Sequence, residues 1–188
     1  EAVLQAQHPP KIWFNAASAT IYRHAEDRPM DEFTGEIGSD FSMDVCKAWE
    51  KSFYDLTLPA TRKVILRMSI TMGINGGVYL RFKNLVRFGL GGKMGNGKQM
   101  MSWIHVEDIA RAISFIIEKE NINGIINVTS PNPVSNATFM SAVRKAMFMP
   151  FGLPTPRWFL AFGAFVIGTE TELILKSRWV IPQKLLNA

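Results

Sequence analysis

The feature that most constrains the fold of this 188-residue chain is the alternation of short apolar runs with longer helical patterns. Runs at residues 11–17, 63–70 and 124–129 have the length and the flanking residues of buried strands. Amphipathic patterns at 40–58 and 106–120 separate them and predict helices. Strands that alternate with helices form a mostly parallel sheet with right-handed crossovers, so the sequence predicts an α/β domain.

The character of the chain changes after residue 130. A turn at 130–133 is followed by Ser135, which can cap a helix that runs to about residue 147. Further helices are predicted over 157–167 and 169–176, and Pro182 opens a final turn. We therefore predict two domains, residues 1–130 and a small helical lobe over residues 131–188.

Three strands make a narrow sheet, because a doubly wound domain generally has five to seven strands. One edge of this sheet should therefore lack a partner strand within the chain. From this we expect the chain to be the C-terminal part of a longer protein.

Composition excludes several classes of protein. The single cysteine, Cys46, cannot form an internal disulfide, which fits a reducing cytoplasm. The formal charge is +5, but Lys and Arg never form a run of four, so we expect no nucleic acid partner. The most apolar stretch, residues 158–168, is much shorter than the roughly 20 residues that span a bilayer, so we also expect no membrane partner.

A glycine-rich stretch at residues 92–98 (GKMGNGK) has the spacing of a phosphate-binding P-loop. Gln99 stands where such a loop needs Ser or Thr to ligate magnesium, and a strand-like run follows instead of a helix. A glycine-rich surface turn is the preferred interpretation. The three histidines, His8, His24 and His105, show no metal-ligand spacing, so we predict no metal site.

Four motifs occur in order along the chain. They are residues 17–22 (ASATIY), 46–50 (CKAWE), 66–69 (LRMS) and 103–108 (WIHVED). Together they resemble the extended short-chain dehydrogenase/reductases, a family that includes nucleotide-sugar epimerases and dehydratases. The segments 127–134 (NVTSPNPV) and 180–186 (VIPQKLL) resemble its branch of predicted sugar-nucleotide epimerases with a small C-terminal helical domain.

This resemblance covers essentially the whole chain and implies its fold and cofactor. The fold is a Rossmann-like doubly wound parallel sheet, of which the chain supplies the C-terminal portion, with a mostly helical C-terminal lobe. The cofactor is NADP or NAD. Because no Gly-x-Gly-x-x-Gly fingerprint follows a strand, we expect the main cofactor-binding half to lie outside this chain.

By position, the resemblance implies that Ser18, at the carboxyl end of the first strand, is catalytic. Its hydroxyl would hydrogen-bond a substrate hydroxyl or carbonyl beside the nicotinamide. Open α/β sheets bind ligands beyond the carboxyl ends of their strands, which makes this location reasonable. The alternative interpretation is that Ser18 and Thr20 satisfy backbone groups in a turn.

Family members that transfer hydride carry a Tyr-x-x-x-Lys pair at the start of the next helix. Counting back from Glu50, which matches the acidic residue of that helix, the two positions hold Ser42 and Cys46. A serine hydroxyl does not ionise near neutral pH without a base, and a thiol carries no positive charge. Tyr22 is therefore the preferred catalytic candidate for proton transfer, while Lys47 would more readily face solvent than fill the lysine position.

The remaining site residues follow from the resemblance alone. The cofactor-binding candidates are Ala16, Ala17, Met68, Ser69 and Ile70. The substrate-binding candidates are Thr20, Gly73 and Asn75. Relatives often place an arginine just before the His-containing motif to hold a diphosphate, but that position is Met101, so the substrate need not be a nucleotide-sugar.

The leading hypothesis is an atypical NAD(P)-dependent nucleotide-sugar epimerase-like protein with a small-molecule substrate. The alternative is a non-catalytic NAD(P)-binding or interaction protein on the same scaffold. Helices that flank such sheets often form dimers, so a homodimer is one expected assembly.

Overall fold

A computed structural model gives the fold of residues 3–74, 76–155 and 176–188. The strands in these residues are β1 Ile12–Ser18, β2 Arg62–Met68, β3 Ile70–Gly73, β4 Gly76–Gly77, β5 Met100–Met101, β6 Trp103–His105, β7 Gly124–Val128 and β8 Val134–Ser135. The helices are α1 Phe41–Tyr54, α2 Val78–Arg87, α3 Val106–Glu118, α4 Asn136–Ala146 and α5 Gln183–Leu186, with a 3-10 turn over Ala19–Ile21.

The three predicted strands form one parallel sheet in the order β1–β2–β7. The register pairs Ser18 with Met68 and Met68 with Val128, so the carboxyl ends of the three strands lie level with one another. Among the described residues no strand pairs with the free edge of β1. The predicted α/β class and parallel order are confirmed.

Helices cover both faces of this sheet. On one face, Phe53 of α1 packs against Ala17 and Ile65, with the ring of Trp13 edge-on to Phe53 at a centroid distance of 4.9 Å. The core on the other face, which includes residues of α3, consists of Val64, Leu66, Ile104, Ile116, Ile122, Ile126 and Val128. Successive side chains of a strand point to opposite faces, so a strand buried on both faces is continuously apolar.

Helix α2 is the element that the sequence analysis missed. It begins directly after Gly77, whose φ of 70° is a conformation that glycine adopts without strain. Phe82 and Val86, four residues apart, are buried against α4, and the ring of Phe82 meets that of Phe139 at 4.9 Å. Helices α2 and α4, with β3 and part of β6, form a second, methionine-rich core.

Local signals set the helix starts as predicted. The Asp40 carboxylate accepts the Met43 N–H at 3.0 Å and caps α1. The Ser135 hydroxyl accepts the Thr138 N–H at 3.2 Å and caps α4. The predicted cap of α4 by Ser135 is confirmed.

The C-terminal residues 176–188 return to the body of the protein. The Met30 N–H donates to the Trp179 carbonyl at 2.6 Å, and the Ile181 N–H donates back to the Met30 carbonyl at 3.0 Å. The hydroxyl of Ser102, which lies between β5 and β6, accepts the Val180 N–H at 2.7 Å. The last residues of the chain therefore join the loop that follows β1 to the second core.

The predicted C-terminal helices and the predicted domain boundary are not tested by the described residues. The helices predicted over 157–167 and 169–176 fall outside them except at Lys176. The division at residue 130 stays a prediction. In the part of the chain that is described, no helix has the length and apolarity to cross a membrane.

Candidate functional site

Three strand ends meet at one edge of the sheet and define the candidate site. Strand β1 ends at Ser18, β2 at Met68 and β7 at Val128. The Ser69 N–H donates to the Val128 carbonyl at 3.2 Å, so the chain that follows β2 stays at this edge. Because ligands of open α/β sheets bind beyond the carboxyl ends of the strands, this edge is where a ligand is expected.

Two hydroxyl groups lie together after β1. The Ser18 hydroxyl donates to Thr20 Oγ1 at 2.9 Å and accepts the Thr20 backbone N–H at 3.1 Å. Ser18 therefore does satisfy a backbone group in the turn. Thr20 Oγ1 accepts the hydrogen bond from Ser18, so the hydroxyl proton of Thr20 remains free to donate to a ligand. The pair can present a hydrogen-bond donor at the strand end.

The predicted cofactor contacts lie on both sides of the strand ends. Ala17 is buried in the core beside α1, whereas Ala16 is exposed on the other face. Met68, Ser69 and Ile70 are half-buried where β2 passes into β3. The buried hydroxyl oxygen of Ser69 has no hydrogen-bond partner within the described chain. Such a group is costly unless something satisfies it, and a polar carboxamide such as that of a nicotinamide has the chemistry to do so.

The predicted substrate contacts after β3 are only partly described. Gly73 ends β3, and a Cβ atom added there would lie 3.7 Å from Val106 Cγ1, an ordinary contact. Space therefore does not require glycine at this position. Asn75 lies outside the described residues.

Tyr22 lies beneath the strand ends, with 1% of its surface exposed. Its hydroxyl donates to Asn127 Oδ1 at 3.0 Å and accepts a hydrogen bond from Arg67 Nη1 at 2.9 Å. Burial raises the pKa of Tyr22, against the opposing effect of the neighbouring Arg67. The phenol is thus held by protein groups, and any proton transfer to a substrate would have to displace one of them.

The network continues through a buried ion pair. Arg67 of β2 donates two hydrogen bonds to Glu50 of α1, at 2.7 Å to each carboxylate oxygen. Both side chains are almost fully buried, and the guanidinium lies 4.9 Å from the centre of the Tyr22 ring. A bidentate pair fixes the relative position of its two elements, so it locks α1 against the sheet beside the site.

The residues at the Tyr-x-x-x-Lys positions lie on α1. Cys46 is buried, and burial raises the pKa of its thiol, with the nearby Glu50 acting in the same direction. A thiol in this state is neutral and cannot supply the charge of a lysine. Lys47 is exposed and pairs with Asp44 at 2.6 Å, which confirms that it faces solvent.

Glu32 has a role in the site that was not predicted from the sequence. Its half-buried carboxylate accepts the Asn127 N–H at 2.8 Å and the Lys184 N–H at 3.3 Å. Burial raises the pKa of Glu32, against the opposing effect of these two hydrogen bonds. Glu32 therefore joins the loop after β1 to β7 and to the start of α5. In the sequence Glu32 is simply an acidic residue in a loop, which does not distinguish it from other surface acids.

The glycine-rich stretch and the histidine motif have structural roles. The loop before β5 leads into a strand, not a helix, and the Gln99 amide donates to the Met94 carbonyl at 3.0 Å. His105 caps α3 by accepting the Glu107 N–H on Nδ1 at 3.4 Å. Met101 is buried in the methionine-rich core. Among the residues described, no group of acidic, histidine or cysteine side chains could hold a metal ion.

Comparison with known proteins identifies the family. Residues 63–129 match the NAD dependent epimerase/dehydratase family. The chain is 34% identical over 180 residues to an epimerase family protein of Mycobacterium leprae, covering 95% of this chain and 57% of that protein. The crystal structure of human epimerase family protein SDR39U1 with NADPH superposes with a TM-score of 0.88 at 28% identity, covering 99% of this chain and 62% of that chain.

The chain belongs to the NAD-dependent epimerase/dehydratase family. A nucleoside-diphosphate sugar epimerase from Corynebacterium glutamicum has the same fold, with a TM-score of 0.74 at 27% identity over 98% of this chain and 35% of that one. The family assignment confirms the resemblance to the extended short-chain dehydrogenase/reductases, and the superpositions confirm the Rossmann-like fold. The chain spans less than two thirds of the length of each of these three relatives.

Proposed function

We propose that this epimerase-family protein binds NADP or NAD at the carboxyl edge of the β1–β2–β7 sheet and acts there on a small hydroxylated substrate. The observation that carries the proposal is the convergence of Ser18, Thr20 and the unpartnered Ser69 hydroxyl at level strand ends. The relative that was solved with NADPH supports a nicotinamide cofactor.

The proposed division of roles follows from position. When bound, the nicotinamide would supply the hydride acceptor and donor of the family's chemistry. Ser69, with Met68 and Ile70 beside it, would contact the nicotinamide end of the cofactor. The Ser18–Thr20 pair would donate a hydrogen bond to the oxygen of the substrate carbon that exchanges hydride, and so fix the orientation of that carbon.

Two uncharged residues near the expected diphosphate position bear on the class of substrate. Met101 and Gln99 stand near the place where relatives often hold a diphosphate, and both are buried in this chain. Neither side chain carries a charge, so neither can form the charge-assisted hydrogen bonds that hold a diphosphate. We therefore favour a small polar substrate, which need not be a nucleotide-sugar.

Turnover tests the proposal. The protein in its full natural length is assayed for nicotinamide oxidation or reduction, and for epimerisation, across a panel of nucleotide-sugars and small hydroxy and carbonyl compounds. With an active substrate, we expect Ser18→Ala to lower kcat/KM by about a hundredfold, as is typical of a lost catalytic hydrogen-bonding or proton-transfer group. Ser52→Ala, on the exposed side of α1, is the matched control. Equal activity of the two variants would overturn the role of Ser18.

A second candidate function is NAD(P) binding without turnover. It is favoured by the neutral, buried Cys46 and by the Tyr22 phenol, whose hydrogen-bonding positions are filled by Arg67 and Asn127. Saturable binding of NADPH or NADH with no turnover across the whole panel would favour this function. A hundredfold loss of a measured turnover in Ser18→Ala would exclude it.

A further inference from the structure

Acidic residues are missing from a large part of this chain. None occurs between Asp55 and Glu107, and none between Glu120 and Glu170. The second core and its loops, at residues 70–105 and 130–155, come from these two stretches, and we call this part of the protein the basic lobe. Its basic residues are Arg81, Lys83, Arg87, Lys93, Lys98, Arg144 and Lys145. The positive charge of the protein is therefore concentrated in one lobe.

The basic lobe also exposes large apolar side chains. Phe88 is 81% exposed, Phe148 94%, Phe151 84% and Leu153 67%, and we call these four residues the phenylalanine patch. They lie where α2 and α4 end. The Leu153 N–H donates to the Gly89 carbonyl at 2.8 Å, which places Leu153 beside the residue that follows Phe88.

Folding does not account for Phe148. It occupies the position just after the C-cap of α4 with a φ of 55°, where glycine or asparagine is usual. The Phe148 N–H donates to the Lys145 carbonyl at 3.1 Å and the Met149 N–H to the Arg144 carbonyl at 3.0 Å, which is the Schellman pattern. A bulky residue in this conformation is strained, and its ring is in solvent. Such an outlier at an exposed position points to a role outside the fold.

Basic residues lie close to the patch along the chain and through backbone contacts. Arg87 directly precedes Phe88, and the Arg144 guanidinium donates to the Gly91 carbonyl. The Lys145 carbonyl accepts the Phe148 N–H, and the Lys93 carbonyl accepts the Thr155 N–H at 3.0 Å, two residues after Leu153. We call Arg87, Lys93, Arg144 and Lys145 the basic rim. The surface thus combines exposed apolar side chains with positive charge and no acidic neighbour in the same lobe.

We propose that the phenylalanine patch and its basic rim bind the surface of an anionic phospholipid bilayer. Insertion of exposed aromatic and aliphatic side chains and attraction of Lys and Arg to anionic lipid act together in interfacial binding. Single-stranded RNA would use the charges and the rings but gain little from Leu153, because nucleic acid bases stack on aromatic faces. The proposal differs from the expectation, drawn from the sequence, of no membrane partner. Binding at the bilayer surface does not require a membrane-spanning helix.

Vesicle sedimentation tests the proposal with the protein in its full natural length. We expect it to bind mixed phosphatidylcholine–phosphatidylglycerol vesicles, to bind phosphatidylcholine vesicles much more weakly, and to be released by salt at about 1 M, where charges are screened within about 3 Å. Failure to bind the mixed vesicles, or equal binding to both kinds, would overturn the proposal. Binding to a single-stranded RNA oligonucleotide in place of vesicles would overturn it in favour of a nucleic acid surface.

Variants locate the binding surface. Phe148→Asn suits the positive φ and removes the ring, so it should fold and lower the vesicle partition coefficient about tenfold, as loss of a buried phenyl group predicts. Phe41→Ser, which removes a ring that is 74% exposed on α1, is the matched control. A partition coefficient that changes equally in both variants, or in neither, contradicts the assignment to the patch.

The contribution of charge is tested in the same assay. Arg87→Gln with Lys145→Gln should lower the partition coefficient roughly 25-fold, about fivefold for each basic residue near the membrane surface. Lys47→Gln with Lys51→Gln makes the same change in net charge on α1 and should have little effect. Equal losses in the two double variants would show that net charge alone determines binding and would refute the basic rim.

Discussion

Replacing Tyr22 by phenylalanine tests whether the buried network beneath the strand ends stabilises the site. The change removes one oxygen and keeps the ring. That oxygen accepts a hydrogen bond from Arg67 at 2.9 Å and donates one to Asn127 at 3.0 Å, and both partners are buried. The variant leaves a guanidinium N–H and an amide oxygen unsatisfied, at about 1–3 kcal/mol for each group, so we expect a loss of about 2–6 kcal/mol in unfolding free energy.

Urea denaturation followed by tryptophan fluorescence measures this loss. Tyr54→Phe is the matched control, because Tyr54 lies at the end of α1 and is 42% exposed. We expect the control to change the unfolding free energy by less than about 0.5 kcal/mol, as surface substitutions usually do. A loss no larger in Tyr22→Phe than in Tyr54→Phe would refute the structural role of the phenol. Loss of turnover with unchanged stability would support proton transfer by Tyr22 instead.

Three further predictions concern stability. Glu50→Gln leaves the Arg67 guanidinium buried without its carboxylate and should lower the unfolding free energy by about 3–5 kcal/mol. The double variant Glu50→Met with Arg67→Met should lose less unfolding free energy, because no buried charge is left unpaired. A larger loss in the double variant than in Glu50→Gln, measured by urea denaturation, would contradict this. Phe148→Gly relieves a strained positive φ and should raise the unfolding free energy by about 1 kcal/mol; a lower denaturation midpoint would argue against the strain. Because burial raises the pKa of Glu32, the native protein should be most stable relative to Glu32→Gln at a pH below the ordinary pKa of glutamate. It should lose that advantage as the pH rises through the raised pKa. A difference that is constant with pH would rule this out.

Much of the fold could be predicted because its signals are local. The strands of the parallel sheet contain short apolar runs, and α1 and α3 have apolar stripes with polar caps. Helix α2 was missed because Gly76 and Gly77 directly precede it and no polar side chain caps its start. Basic residues also interrupt its apolar positions, although Phe82 and Val86 keep a helical spacing.

The site was less predictable because its contacts join distant parts of the chain. The place of Ser18 at a strand end followed from the predicted extent of the first strand, residues 11–17. The burial of Tyr22 did not, because it depends on Arg67 and Asn127, which are 45 and 105 residues away. The charge of the basic lobe was visible in the sequence, but a search for runs of Lys and Arg overlooks a long stretch that simply lacks acidic residues.

The central claim is a nicotinamide cofactor site at the carboxyl edge of the sheet, and it is tested most directly by binding of NADPH and NADH to the protein in its full natural length. Binding is measured by energy transfer from tryptophan to the reduced nicotinamide. We expect saturable binding of at least one dinucleotide. Ser69→Ala should weaken it about fivefold, as loss of one hydrogen bond predicts, without lowering stability, since the Ser69 hydroxyl has no partner in the described chain. Ser52→Ala should leave the affinity unchanged. Absence of saturable binding of either dinucleotide, or equal affinity of the Ser69→Ala and Ser52→Ala variants, would contradict a cofactor site at this edge of the sheet.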